Sequence, residues 1–225
     1  MHKTIAASFL IVGFLAFSSF TNAGLTAEQV LNKAEQKLAA ATTTAVLDIT
    51  VQRPKWTKTM QLKTWNKGTD YALAYILSPE KDKGTIYVKN KNDVWNYLPK
   101  IKKTVKLPAT LLSQNWMGTD LSTDDLVKLS KLTEDYSAKL IAEKSINGRL
   151  CYGIQLDPKP TADVLWGRLV MYIDKQHYVQ LKTTFYDEDL EAVNTLIGSD
   201  LKSFGGKTFA SKLVMLPSGK NGSKT

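Results

Sequence analysis

Catalysis needs titratable or nucleophilic groups gathered at one place, and this sequence is sparing with them. It has two histidines and one cysteine in 225 residues. His2 falls in an apolar leader, so His177 in Asp174-Lys-Gln-His-Tyr178 is the one imidazole of the remaining chain. One turn histidine cannot build a zinc site, and no His-Glu-x-x-His or Cys-x-x-Cys accompanies it. A serine nucleophile needs a base and a sharp elbow to present it, and there is no Gly-x-Ser-x-Gly. Asp120, Asp124 and Asp125 lack the alternating spacing of a calcium loop, and helix capping accounts for them more simply. Asp187 and Glu188 are adjacent, so on a strand they would point to opposite faces and could not flank a glycosidic bond. Cys151 reads as a small buried hydrophobe. The expectation is a binding protein with no catalytic residue, no metal and no cofactor.

What the chain does have is bulk. Trp56, Trp65, Trp95, Trp116 and Trp166 stand with nine tyrosines, enough to wall a dry cavity. Such a cavity holds a hydrocarbon chain by burial alone, at about 0.8 kcal/mol per CH₂. The same residues would equally serve to fill a small barrel.

The elements that must position these side chains follow from periodicity. Leu25-Thr26-Ala27-Glu28-Gln29-Val30 predicts a helix start with a Thr26/Gln29 capping box and a Leu25/Val30 staple. Val30, Leu31, Ala34, Leu38 and Ala41 then mark one helical face. From Thr42 the period changes to two. Strands are predicted to Arg53, across Met60 and Leu62 to Asn66-Lys67-Gly68, over Tyr71–Leu77, from Ile86 and Val88 to Asn90, and through Trp95 and Tyr97 to Pro99. Lys100, Lys102, Lys103 and Lys106 read as a basic turn. Leu107, Leu111, Leu112, Trp116 and Met117 follow, apolar residues in a segment punctuated by Pro108 and Gly118. Ser122 or Thr123 then caps a short helix through Leu126, Leu129 and Leu132. Beyond it, Asn147-Gly148 marks a hairpin between Tyr136–Ile146 and Leu150–Leu156. Trp166–Asp174, Tyr178–Asp187, Ala192–Phe204 and Thr208–Leu216 complete about ten strands, a number that suits a barrel or a strongly curved antiparallel sheet.

Compartment and charge narrow the partners. Lys3, the apolar run from Ile5 to Phe17 and Thr21-Asn22-Ala23 read as a cleaved signal peptide over residues 1–23, leaving 24–225 as a single exported domain. The run is short for a bilayer span, and no lipid-attachment cysteine follows it. The remaining chain holds 29 Lys+Arg against 21 Asp+Glu, a balance of +8. For an exported protein, anionic lipid head groups or an acidic protein surface are the natural counterparts, rather than nucleic acid.

Four ordered pieces carry a family resemblance: Leu77-Ser78-Pro79 with Lys83-Gly84-Thr85; Tyr97-Leu98-Pro99 with Lys102-Lys103; Asn115-Trp-Met-Gly-Thr-Asp-Leu-Ser-Thr-Asp-Asp-Leu126; and Val164-Leu-Trp-Gly-Arg-Leu169 with Ile173-Asp174. In this order they resemble the bacterial outer-membrane lipoprotein-sorting proteins, the LolA-like periplasmic lipoprotein carriers. The resemblance implies a mainly β, α+β fold: a curved antiparallel sheet forming an incomplete barrel, covered by an N-terminal helix and a lid helix. It implies a monomeric carrier for a lipid or a lipoprotein acyl chain, loaded by an inner-membrane transporter of ABC or RND/MMPL type and bound for the outer membrane. It also implies one or two further strands after the Ser218–Ser223 turn.

With the more apolar face of each strand taken as the concave one, the cavity is expected at Leu47, Ile49, Met60, Leu62, Ile86, Val88, Leu169, Met171, Val179 and Leu181. Trp116, Met117, Leu121, Leu126 and Leu129 would form the lid. Lys100, Lys102, Lys103 and Lys106 would meet a head group or partner at the rim. The rival readings are a periplasmic sensor that signals lipid or lipoprotein to a membrane protein, and a hydrolase of an exported polymer.

Overall fold

The structure, a computed structural model, describes residues 24–38, 42–123, 132–162 and 164–225. The leader at residues 1–23 lies outside them.

Helix α1 (Ala27–Leu38) starts on the capping box that its sequence predicts. The Gln29 N–H donates to Thr26 Oγ1 at 3.2 Å, and the Thr26 N–H donates to Gln29 Oε1 at 2.9 Å. Two free helix-start donors are thus paired reciprocally. Val30 and Leu31 on its apolar stripe are fully buried.

Twelve strands follow among the described residues, rather than about ten. The first six are β1 (Thr42–Arg53), β2 (Trp56–Lys67), β3 (Tyr71–Ser78), β4 (Ile86–Asn90), β5 (Asp93–Leu98) and β6 (Lys103–Lys106). The second six are β7 (Tyr136–Ile146), β8 (Arg149–Pro158), β9 (Arg168–Asp174), β10 (Gln180–Tyr186), β11 (Ala192–Phe204) and β12 (Lys207–Pro217). Each set is an antiparallel meander in chain order, giving two six-stranded sheets, neither closed into a barrel. The expected single curved sheet is corrected to this pair. Between the sets lie one turn of helix α2 (Ala109–Leu112), a 3₁₀ turn at Trp116–Gly118 and the short α3 (Leu132–Asp135).

Asn147 (φ 51°) and Gly148 (φ 76°) both occupy left-handed backbone in the β7–β8 turn. Positive φ at both central residues is what a tight hairpin needs to match strand twist.

The two sheets meet along one seam. Lys224 pairs with Gln52 at the end of β1, and Thr225 exchanges backbone hydrogen bonds with Met215 of β12. The Ser218–Ser223 turn therefore feeds two residues that lie between the neighbouring edges of both sheets.

Three apolar clusters hold the molecule together. The first covers one face of β1–β5, with Val51, Met60, Leu62, Ile76 and Val94 buried beneath Leu112 and Trp116. The second joins α1 to the second sheet, where Val30 and Leu31 meet Tyr136, Ile154, Leu156, Leu169, Met171 and Ile173. Helix α1 thus packs not on the strands that follow it but on the sheet made by β7–β12. Glu35 fixes it there by accepting hydrogen bonds from the N–H and hydroxyl of Thr133 in α3. The third cluster gathers Ile146, Cys151, Val179 and Leu181. Strand alternation puts its Cys151 on the face opposite Tyr152 and Ile154.

Gly167 has no room for a side chain. A Cβ on Gly167 would lie 2.2 Å from the Asp187 carbonyl oxygen and 2.9 Å from Glu188 Cα, both backbone atoms. Gly167→Ala is expected to cost about 2 kcal/mol, because the backbone around Asp187 must move. Urea denaturation should show a lower midpoint at unchanged slope. Gly24→Ala, where nothing lies within 4 Å of the new carbon, should leave the midpoint in place.

Candidate functional site

The register of the first sheet decides which side chains share a face. Ile49 pairs with Met60, Leu47 with Leu62, and Leu62 in turn with Ile76. Farther across, Thr64 pairs with Ala74, Ala74 with Tyr87, and Tyr87 with Asn96. These residues form one surface. Met60 and Leu62 are fully buried in it, and at about 1.5–3 kcal/mol for each buried large side chain they are among its main contributors. Leu47, farther along β1, is 41% exposed.

The cover over this surface is the segment from Leu107 to Met117. Leu112 and Trp116 are buried against it, with Leu107 and Met117 packed alongside. Trp116 meets Tyr87 edge-on, ring centroids 6.1 Å apart and planes at 75°, a favoured aromatic geometry. The cover folds on itself through polar bonds. The Trp116 N–H donates to the Leu121 carbonyl at 2.7 Å, and the Thr119 hydroxyl donates to the Trp116 carbonyl at 2.6 Å. Met117 sits in left-handed backbone (φ 49°), which costs a residue with a Cβ about 1 kcal/mol.

What ties the cover to the sheet is Arg53. Its guanidinium donates to both Asp120 carboxylate oxygens, at 3.0 and 2.9 Å, and to the Gly118 carbonyl at 2.9 Å. It also reaches the Lys224 carbonyl at 3.1 Å. The Thr225 hydroxyl donates to Asp120 Oδ2 at 2.6 Å. The Asp120 side chain is 3% exposed. The end of β1, the cover and the seam between the sheets thus share one buried ion pair. The geometry is a fork on a carboxylate, the strongest arrangement open to these groups.

The Tyr87 hydroxyl lies in mixed surroundings. Burial pushes its pKa up, and hydrogen bonding with the Trp116 and Asn96 side chains pulls it part of the way back. At the opposite end of the same sheet, a cleft of about 430 Å³ opens between Thr42–Thr44, Trp65, Tyr71 and Leu73.

The ten expected cavity residues do not line one cavity. Leu47, Ile49, Met60 and Leu62 share the covered face. Ile86 and Val88 pair with Tyr75 and Leu73 on the opposite face, and the inward positions of β4 belong to Tyr87 and Lys89. Leu169 and Met171 lie in the α1 cluster, and Val179 and Leu181 in the third. In the expected lid, Trp116 is buried, while Met117 and Leu121 are half-buried; Leu126 and Leu129 lie outside the described residues. Lys103 and Lys106 belong to β6, not to a turn, and Lys100 and Lys102 precede it; all four are exposed. Lys106 pairs with Asp93 at 2.8 Å. Sequence reasoning missed Tyr87 and Asn96, and it did not join Arg53 to Asp120.

The groups that could have carried chemistry are used structurally. Asp174 accepts from Arg149 Nε at 2.9 Å, Arg149 Nη2 at 3.1 Å and the His177 backbone N–H at 2.7 Å. Burial pushes its carboxyl up, but these hydrogen bonds and the Arg149 charge outweigh that and hold it below the usual carboxylate range. Cys151 is buried, and burial, followed by the Asp174 charge, raises its thiol pKa. Such a thiol is a poor nucleophile. No group of three or more His, Cys, Asp or Glu among the described residues is placed to hold a metal ion.

Solved structures share this architecture. A DUF1329 family protein from Desulfovibrio piger aligns at TM-score 0.79 and 21% identity, covering 88% of this chain and 89% of that one. A putative outer membrane lipoprotein-sorting protein domain from Vibrio parahaemolyticus aligns at 0.76 and 21%, covering 88% of each. A LolA superfamily protein from Nitrosomonas europaea aligns at 0.75 and 18%, covering 89% and 90%. A family model described as "uncharacterized protein" matches residues 68–225, well over half of the chain. The chain belongs to that family and has the LolA-like fold. No curated protein matches it by sequence. Within the LolA-like fold, the matched region runs from the β2–β3 turn to Thr225. It therefore holds the cover, Asp120 and all of the second sheet, but not Arg53 or Met60.

Proposed function

We propose that this LolA-like protein is a periplasmic carrier that binds a lipid or the acyl chains of a lipoprotein on the covered face of its first sheet and delivers them toward the outer membrane. The observation that carries this reading is the cover itself. A continuous apolar surface around Met60 and Leu62 is closed by a short segment fixed by side-chain bonds at Arg53, not by strand pairing along its length. Such a cover can lift without breaking either sheet, and an acyl chain can then replace Leu112 and Trp116 against the same surface. The reading as a binding protein also agrees with the structural use of Asp174, His177 and Cys151, and no enzymatic activity is proposed. No helix among the described residues is long and apolar enough to cross a membrane. An inner-membrane transporter is the proposed donor, and the protein is proposed to act as a monomer.

Native mass spectrometry tests the reading, on protein purified gently from the periplasm and then offered phospholipid or lipopeptide. The expected result is a folded monomer carrying one acyl species, displaced by added ligand. A protein that arrives bare and takes up neither ligand would overturn the carrier reading and favour a protein-binding sensor.

A further inference from the structure

The first sheet has a back as well as a covered face, and large apolar residues stand there too. Trp65 pairs with Leu73, Leu73 with Val88 and Val88 with Trp95, so the four form one row across β2–β5. Strand alternation turns that row away from Met60, Leu62 and Tyr87. Val46, which pairs with Lys63 on the same face, is 56% exposed, Trp65 38% and Tyr71 43%. None of these six residues belongs to the three apolar clusters. The cleft of about 430 Å³ opens at the Trp65 end of the row, with Tyr71, Leu73 and Val88 in its lining. Single exposed apolar residues need no explanation, but a contiguous row of them marks a contact surface.

Cations frame this row. Lys63 Nζ lies over the Trp65 ring, 4.9 Å from its centroid, and Lys106 Nζ lies 5.8 Å from that of Trp95. Lys67, two residues beyond Trp65 on β2, shares the face. The two strand carboxylates on this face are already engaged: Asp48 accepts from Gln61 Nε2 at 2.8 Å, and Asp93 pairs with Lys106 at 2.8 Å. Lys63 and Lys67 form no ion pair among the described residues. A second copy stacked on this face would bring these lysines toward one another. An acidic protein surface would answer the lysines but not the apolar row. An anionic bilayer answers both, since its phosphates attract lysine and its interfacial zone receives indole and phenol rings.

We propose that the back of the first sheet is a docking surface for an anionic lipid bilayer. Trp65 and Trp95 settle at head-group level, Leu73 and Val88 face the acyl boundary between them, and Lys63 and Lys67 meet lipid phosphates. The inference goes beyond the carrier reading and holds whatever the cover encloses: one side of the sheet would take cargo and the other the membrane.

Flotation of the purified protein with vesicles tests it, using phosphatidylcholine alone and an equal mixture of phosphatidylcholine and phosphatidylglycerol. Binding to the mixed vesicles is expected to be about tenfold tighter than to the neutral ones, and Lys63→Gln with Lys67→Gln should remove most of that difference. Trp65→Thr with Trp95→Thr should weaken binding to both about tenfold. Leu213→Thr, at a residue of the second sheet that is 57% exposed, should change neither. Binding that survives the paired tryptophan change, or that Leu213→Thr weakens as much, would place the contact elsewhere and overturn the proposal. Binding to neither vesicle would also overturn it, and lipid uptake seen by native mass spectrometry would still decide the carrier reading separately. A dimer formed without vesicles and lost with the tryptophan pair would assign the face to a second copy instead. Should the tryptophan pair lower the urea midpoint, the lysine pair still decides, because it leaves the apolar row in place: an undiminished preference for the mixed vesicles would overturn the docking surface.

Discussion

Arg53→Met is expected to destabilise the protein by about 3 kcal/mol, because it leaves the Asp120 carboxylate buried with its charge uncompensated. The loss should be felt in two distant places. Gly118 and Asp120 lose their tie to β1, and the Lys224 carbonyl loses a donor. The Trp116 amide, which donates to Leu121, should exchange faster with deuterium than in the parent, while amides at the centre of β8 and β9 change only with global stability. Adding Asp120→Leu should restore part of the loss, since removing both members of a buried pair costs less than removing one. A parent-like urea midpoint together with parent-like protection at Trp116 would show that Arg53 does not hold the cover.

Arg149→Met should have an effect of similar size, and one that depends on pH. The Asp174 side chain is 3% exposed and depends on Arg149 for two of its three hydrogen bonds, so its removal is expected to cost about 3 kcal/mol at pH 7. The sign of the pH effect follows from the direction of the shift. The Asp174 carboxyl is held below its ordinary value in the folded chain. Its stabilisation is therefore complete above the unfolded-state value, about 3.9, and is lost as pH falls through the lower folded-state value. Asp157, drawn down by Gln155 and Arg168 against burial, adds a smaller contribution of the same sign. Urea midpoints of parent and variant should differ most near neutrality and converge as the pH falls below about 4. A gap that stays constant across that range would mean that Arg149 acts through packing rather than through the Asp174 charge.

The sequence showed the strands better than it showed their sides. The Thr26/Gln29 box, the Asn147-Gly148 hairpin and most strand limits are set by neighbouring residues, and these came out as expected. Strand β6 looks like a turn in the sequence because Lys103-Thr-Val-Lys106 is too short and too charged to show a period of two. Ile86-Tyr87-Val88 failed for the opposite reason. Three bulky residues in a row give no alternation, so only the pairing of Ala74 with Tyr87 reveals which one faces Met60 and Leu62. The candidate site was legible in part: Trp116 and Met117 stand out as apolar residues in a loop. Arg53 and Asp120 do not, because 67 positions separate them and each has a sufficient local explanation, as a strand end and as a helix start. Nor does the sequence show that α1 crosses to the second sheet, since its stripe would suit either.

Strand β6 closes the outer side of the first sheet with four exposed residues, Lys103 and Lys106 at its ends. A second copy adding itself antiparallel at that edge, in the register that matches the strand to itself, would set its Lys106 opposite Lys103 and its Lys103 opposite Lys106. Like charges directly across a ladder oppose pairing, and the four-residue length leaves few backbone bonds to offset them. The lysines expected to greet a head group therefore also guard an open strand against polymerisation, and substituting them with uncharged β-formers would remove that guard.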